Sequence, residues 1–224
     1  MDYWRNNTIW FDQIPNNLFS HLNLKEDKLK EMTLQEIEYL ILWHYKNKLG
    51  NFIDMPIPEG LLYLELNWSN IQNFIGIEKL VKLKRLELHD CTKLKSDCGL
   101  SKIANTLEHL HINQSKKFVP TEELFSLKNI RVLCLNSCGN LENLSFLNQF
   151  PNLIDFRFVD TNVLDGNLSP ILEHPTIRNV GFLNKRHYNI SSERMEALLT
   201  EKNNDKEYKS IVEKGEFQTF RYNY

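Results

Sequence analysis

Leu83-Lys84-Arg85-Leu86-Glu87-Leu88-His89-Asp90-Cys91 and Ile130-Arg131-Val132-Leu133-Cys134-Leu135-Asn136-Ser137-Cys138 share one nine-residue pattern, apolar-x-x-apolar-x-apolar-x-x-small. The same frame fits Leu61/Leu64/Leu66/Ser69, Leu107/Leu110/Ile112/Ser115, Leu153/Phe156/Phe158/Thr161 and Ile177/Val180/Phe182/Lys185. First positions fall at 61, 83, 107, 130, 153 and 177, so successive steps are 22, 24, 23, 23 and 24 residues. One such match is a weak signal, but six in phase are a strong one.

A period of this length with this spacing marks a leucine-rich repeat. Within each frame the fourth and sixth residues are apolar and the residues between them are not, so one face is apolar and the other is not. That is a short strand. It cannot bury its apolar face alone, and stacking side by side gives a parallel sheet over a continuous core. The small ninth residue is expected at the inward turn, where its hydroxyl or thiol bonds the backbone. Lys185 breaks the pattern, as suits the final repeat. Return segments carry more apolar residues: Leu94, Leu100 and Ile103 in one, Leu141, Leu144, Leu147 and Phe150 in another. Each buried side chain contributes about 1.5–3 kcal/mol against ordering entropy. The expected fold is α/β, a leucine-rich repeat solenoid with a parallel sheet on its concave face, a helical N-terminal cap and a mixed C-terminal cap.

Residues 1–60 read as the N-terminal cap, 61–188 as six repeats and 189–224 as the C-terminal cap. An uncovered solenoid end exposes raw core and unpaired strand groups. Thr8–Phe11 reads as a short strand and Lys25–Glu31 as a short helix. Thr33-Leu34-Gln35-Glu36 has the form of a capping box. It predicts a helix with Leu34, Ile37, Leu40, Ile41 and Tyr45 on one stripe, ending at Gly50. Beyond the repeats, a helix is expected from Ser191 or Ser192 with Met195, Leu198 and Leu199 inward. A polar loop over 202–207, a further turn around Tyr208–Val212 and a strand through Phe220, Tyr222 and Tyr224 complete the expected cap.

Composition narrows function by exclusion. Lys and Arg number 27 and Asp and Glu 29, a formal net charge of −2. Nucleic-acid binding wants a basic face, which this balance does not provide. No apolar run reaches bilayer length, and the N-terminus lacks the charge-then-apolar form of a signal peptide. Cys91, Cys98, Cys134 and Cys138 read as reduced thiols in a cytoplasmic protein, two of them filling the small-residue position. The phosphate-loop, nucleophile-elbow and zinc-protease motifs are missing. No cofactor or metal is expected.

Function is then expected on the concave face, at the third, fifth, seventh and eighth positions. Candidate partner contacts are Tyr63, Glu65, Trp68, Arg85, Glu87, His89, Asp90, His109, His111, Asp155, Arg157 and Asp160. Trp, Tyr and Arg dominate binding hot spots. The carboxylates give the face an acidic lean, which suits a partner with a basic surface. Six strands about 4.8 Å apart span roughly 25–30 Å, room for a protein interface. The reading is a non-catalytic protein-binding module, not an enzyme. Two alternatives stay open: an enzyme or effector using Cys134 or the His89/His109/His111 cluster, and a passive scaffold. His and carboxylate columns on a flat sheet are expected to converge poorly on a metal.

With those repeats, residues 61–188 resemble bacterial leucine-rich repeat proteins of the short internalin-like kind. Asp160-Thr161-Asn162-Val163-Leu164-Asp165-Gly166-Asn167-Leu168-Ser169-Pro170 and Asn184-Lys185-Arg186-His187-Tyr188 look like endings of stand-alone cytosolic members. The resemblance implies a curved solenoid recognising another protein through its concave face. Some small bacterial proteins of this sort are immunity proteins that neutralise a toxin.

Overall fold

The computed structural model describes residues 9, 11, 14–27, 29 and 34–203 of the 224-residue chain. Eight strands form one parallel sheet in strict chain order. They are β1 (Phe19–Asn23), β2 (Tyr39–Trp43), β3 (Tyr63–Asn67), β4 (Arg85–His89), β5 (His109–Asn113), β6 (Val132–Asn136), β7 (Asp155–Arg157) and β8 (Asn179–Gly181). Equivalent repeat positions are partners across the ladder: Leu64 with Leu86, Leu86 with Leu110, Leu110 with Leu133, Leu133 with Phe156. Short return segments bring each strand back beside the last, including 3₁₀ turns at Ile77–Lys79, Leu100–Ile103 and Ser145–Gln149. Two short helices, α1 (Glu122–Phe125) and α2 (Ser169–Glu173), serve the same purpose. The fold is therefore a leucine-rich-repeat-like α/β solenoid.

Between the sheet and the return segments lies one core, running from Leu34 to Leu199. The fourth- and sixth-position residues from Leu64 to Phe158 fill it, all fully buried. Phenylalanines reinforce it lengthwise: Phe52 stacks near Phe74, and Phe158 stacks between Phe156 and Phe182 with centroids 5.1 Å apart on each side. Tight stacking fixes one glycine absolutely. A Cβ on Gly76, at φ 90°, would come within 2.4 Å of the Ile53 backbone nitrogen in the preceding repeat.

The expected helix from Thr33 is not formed: its centre is β2, and Leu34–Glu36 only turn into it. Ile37/Leu40/Leu42/Tyr45 fits the repeat frame, 24 residues before Leu61. Leu40 and Leu42 enter the main core while Tyr39 and Ile41 enter a second one on the opposite face. A strand buried on both faces reads as the near-continuous apolar run Tyr-Leu-Ile-Leu-Trp, and its neighbours on both sides supply ladder bonds that a lone helix would forgo. β1 continues the sheet one strand further, so the sheet begins at Phe19, two strands ahead of the strand expected from Leu61. In the region of the expected short helix, Leu24–Glu26 form a turn; residues 28, 30 and 31 of that segment, and 8 and 10 of the Thr8–Phe11 strand, lie outside the described residues.

At the far end, α3 (Ser192–Asn203) buries Met195 and Leu199 as expected, leaves Leu198 half-buried, and extends two residues into the expected loop. The rest of the expected loop, the expected turn around Tyr208–Val212 and the expected Phe220–Tyr224 strand lie outside the described residues.

Candidate binding face

The ninth residue of each frame ties neighbouring turns together. Thr161 Oγ1 donates to Leu135 O at 2.6 Å and accepts from Cys138 N at 2.9 Å. Ser115 Oγ donates to Cys91 O, and the Cys91 and Cys138 thiols reach Leu66 O and Ile112 O at 3.6 Å. Burial pushes both thiols up to about 12, so they stay protonated donors.

The eighth residue is the stranger position. His44, Trp68, Asp90, Gln114, Ser137 and Asp160 all hold φ between 49° and 62°, the left-handed region usually left to glycine. Each of the first five donates its backbone N–H to the next repeat, His44 to Asn67 O, Trp68 to His89 O, Asp90 to Asn113 O, Gln114 to Asn136 O and Ser137 to Val159 O. This extra rung extends the ladder past the strand and throws the eighth side chains onto the rim of the sheet.

On that rim sits an aromatic cluster. Trp68, 45% exposed, stacks on His44 and meets Trp43 in a T-shaped contact with centroids 4.8 Å apart. Asp90 is half-buried and Asp160 exposed, and Ser137 Oγ donates to Asp160. His89 and His111 are partly exposed beside them.

The concave strand positions behave differently from expectation. Tyr63, Arg85, Glu87, His109 and Asp155 are buried, not solvent-facing. Tyr63 lies beneath Phe11 and beside Tyr39 in the second core, which includes Ile14. The chain's own N-terminal residues thus cover the start of this face. Tyr63 also donates to Glu65, whose other oxygen accepts from Asn67 Nδ2 at 2.7 Å. Arg85 caps the Tyr63 ring at 5.6 Å and donates Nε to Glu87 Oε1 at 2.6 Å. Three strands on, Arg157 pairs with Asp155 through two bonds of 3.0 Å. Strand alternation puts residues two apart on one face, so Arg85/Glu87 and Asp155/Arg157 neutralise each other. The acidic lean shrinks to Glu65, Asp90 and Asp160, which make no ion pair among the described residues.

Glu87 is the hub of this network. Its Oε2 lies 2.9 Å from His89 Nε2 and 3.6 Å from His111 Nδ1. Burial works against the charged carboxylate, but Arg85 and the two imidazoles outweigh it and hold its pKa well below the usual range. Burial likewise opposes the charged His89, and the bond and charge of Glu87 outweigh it, raising its pKa. In His109 burial prevails, helped by Arg85, and the ring stays neutral. Two sets of ligand-type atoms lie close together on this face, Glu87/His89/His111 and His109/His111/Cys134, the atoms of each set within 4.8 Å of one another. Cys134 is buried and burial drives its pKa upward, which denies it the thiolate a nucleophile needs.

No family model and no curated protein matches the sequence. Among solved structures, an internalin from Listeria monocytogenes is similar at 14% identity and a TM-score of 0.34, over 72% of this chain. The chain spans 62% of that internalin's length. No helix among the described residues is long and apolar enough to cross a membrane.

Proposed function

We propose that the chain is a non-catalytic protein-binding module that grips its partner with the rim and exposed edge of the concave face. The observation that carries this is the Trp43/His44/Trp68 cluster, in which His44 and Trp68 hold positive φ and Trp68 is exposed beside its two half-buried neighbours. Exposed tryptophan beside histidine and a carboxylate has the make-up of a binding hot spot. Of the sequence candidates, Trp68, Glu65, His89, Asp90, His111, Arg157 and Asp160 remain accessible in part. Tyr63, Arg85, Glu87, His109 and Asp155 act beneath them as supports.

In the finer reading the partner is a toxin with a basic surface, and the chain is its cytoplasmic inhibitor or immunity protein. Glu65, Asp90 and Asp160 support a basic partner, and the resemblance to stand-alone cytosolic repeat proteins supports inhibition. Capture from a lysate of the source organism by the wild-type chain, compared with Trp68→Ala plus Asp90→Gly, tests the rim. Equal capture by both counts against it. Rescue of growth when the chain is co-expressed with the captured protein separates an inhibitor from a passive scaffold.

A further inference from the structure

We propose that Glu87, His89 and His111 bind a late first-row divalent transition metal ion, with Zn²⁺ as the expected occupant. Glu87 and His89 are two apart on β4, and His111 is the direct partner of Glu87 on β5. All three side chains therefore rise from one patch of sheet. Zinc bonds of about 2.0–2.1 Å in tetrahedral geometry set ligand atoms roughly 3.3–3.4 Å apart. The separations of Glu87 Oε2 from the two ring nitrogens, 2.9 and 3.6 Å, bracket that value. Two imidazoles and one carboxylate suit zinc, iron or nickel rather than magnesium or calcium. His89 and His111 side chains are 20% and 19% exposed, which leaves a route in and a fourth position open to water.

The surroundings hold the set in place. Arg85 takes the far oxygen of Glu87 and so fixes the carboxylate plane, as outer partners of metal ligands do. The neighbouring His109/His111/Cys134 set is the poorer choice, because both His109 and Cys134 are closed to solvent and the thiol resists ionisation. One group opposes binding. Asn136 Oδ1 accepts from Val159 N at 3.0 Å, so its Nδ2 faces His111 Nε2 at 3.2 Å. A metal on Nδ1 puts the ring proton on Nε2, and the Asn136 amide must turn over to accept it. Aspartate at 136 would accept from Val159 and His111 together, completing a carboxylate–histidine–metal relay.

Equilibrium dialysis of the untagged full chain against ZnCl₂ is the test, with Co²⁺ absorption as a probe of tetrahedral coordination. One saturable Zn²⁺ per chain is expected, unchanged in His21→Gln. His89→Gln and His111→Gln should each weaken binding more than about 100-fold, beyond the 10–100-fold range of outer-partner losses. Asn136→Asp should tighten it about 10-fold or more, an effect abolished in the Asn136→Asp/His111→Gln double variant. No saturable binding, or binding indifferent to His89→Gln and His111→Gln, overturns the proposal. Should those variants not fold, the response to Asn136→Asp decides: tightening supports the site, and no change sinks it. These readouts need no partner and stand apart from the proposed protein binding.

Discussion

The Trp68 indole lies 9° from parallel to the His44 imidazole, 5.1 Å between centroids, and both residues hold positive φ. They occupy the same position of consecutive repeats, so the stack follows from repeat register rather than from a local accident. The stack covers part of the indole and leaves Trp68 45% exposed. Trp68→Ala is expected to weaken partner affinity by about 2 kcal/mol or more, the mark of a hot spot. Stability should fall far less, since Trp68 is 45% exposed. Calorimetric affinity for the captured partner, set beside urea unfolding of the free chain, checks both halves. A large stability loss with unchanged affinity would reverse the assignment.

Left-handed backbone at the eighth position predicts an asymmetry at Gln114, exposed at φ 57°. Glycine there relieves side-chain strain but gains unfolded-state freedom, two effects of about 1 kcal/mol each that nearly cancel. A β-branched residue has no such relief. Gln114→Gly should therefore be near neutral and Gln114→Val destabilising by about 1–2 kcal/mol in urea unfolding. Equal losses would mean the positive φ is not a property of the folded chain.

How far the sequence could be read depends on which residues filled the frame. From Leu61 onward both inward strand positions are apolar, the ninth residue is small as far as Thr161, and the strands fall where expected. At β2 the ninth residue is Tyr45, and Leu34, Ile37, Ile41 and Tyr45 also repeat every three or four residues. Two periods competed there, and the neighbouring strands decided. At β1 only Leu22 is apolar among the equivalents Asn17, Ser20, Leu22 and Lys25. Of the site, the concave positions were legible from alternation. Their burial was partly legible too, since Arg85/Glu87 and Asp155/Arg157 are opposite charges two apart on one face. The left-handed eighth position was not, because His, Trp, Asp, Gln and Ser there carry no shared preference for it.

His174 makes the stability pH-dependent. It is buried, Thr176 N donates to its Nδ1 at 3.3 Å, and its Nε2 faces Leu147 O at 3.2 Å. This is a neutral ring with its proton on Nε2. Burial lowers its pKa, against the pull of the backbone carbonyls, and Lys202 adds to the lowering. A lowered folded-state pKa gives stability that is present above the unfolded value, about 6.5, and is lost as pH falls below it. The stability advantage of wild type over His174→Gln should thus shrink from about pH 7.5 to about pH 5.5 in urea unfolding. A gap that stays constant would show that the ring is not held neutral.

Asp97 predicts the strongest single polar effect. Thr121 begins α1 without a side-chain cap of its own. Asp97, in the preceding repeat, supplies it: Oδ2 accepts from Thr121 N at 2.6 Å and Leu124 N at 3.0 Å, and Oδ1 accepts from Thr121 Oγ1 at 2.6 Å. The carboxylate is 2% exposed, so water cannot readily replace it. Bonds to a charged acceptor contribute about 1.5–3 kcal/mol each, and orphaned buried N–H groups add their desolvation cost. Asp97→Ala is expected to cost about 3 kcal/mol or more by urea unfolding. Asp97→Asn keeps one oxygen for the backbone donors and should fall between. Because solenoid stability runs through contacts between adjacent repeats, the Asp97→Ala loss should reach both neighbours. Amide exchange would then quicken in β5 and β6 more than in β2, and uniform quickening would mean that the joint between these repeats is not where the stability is held.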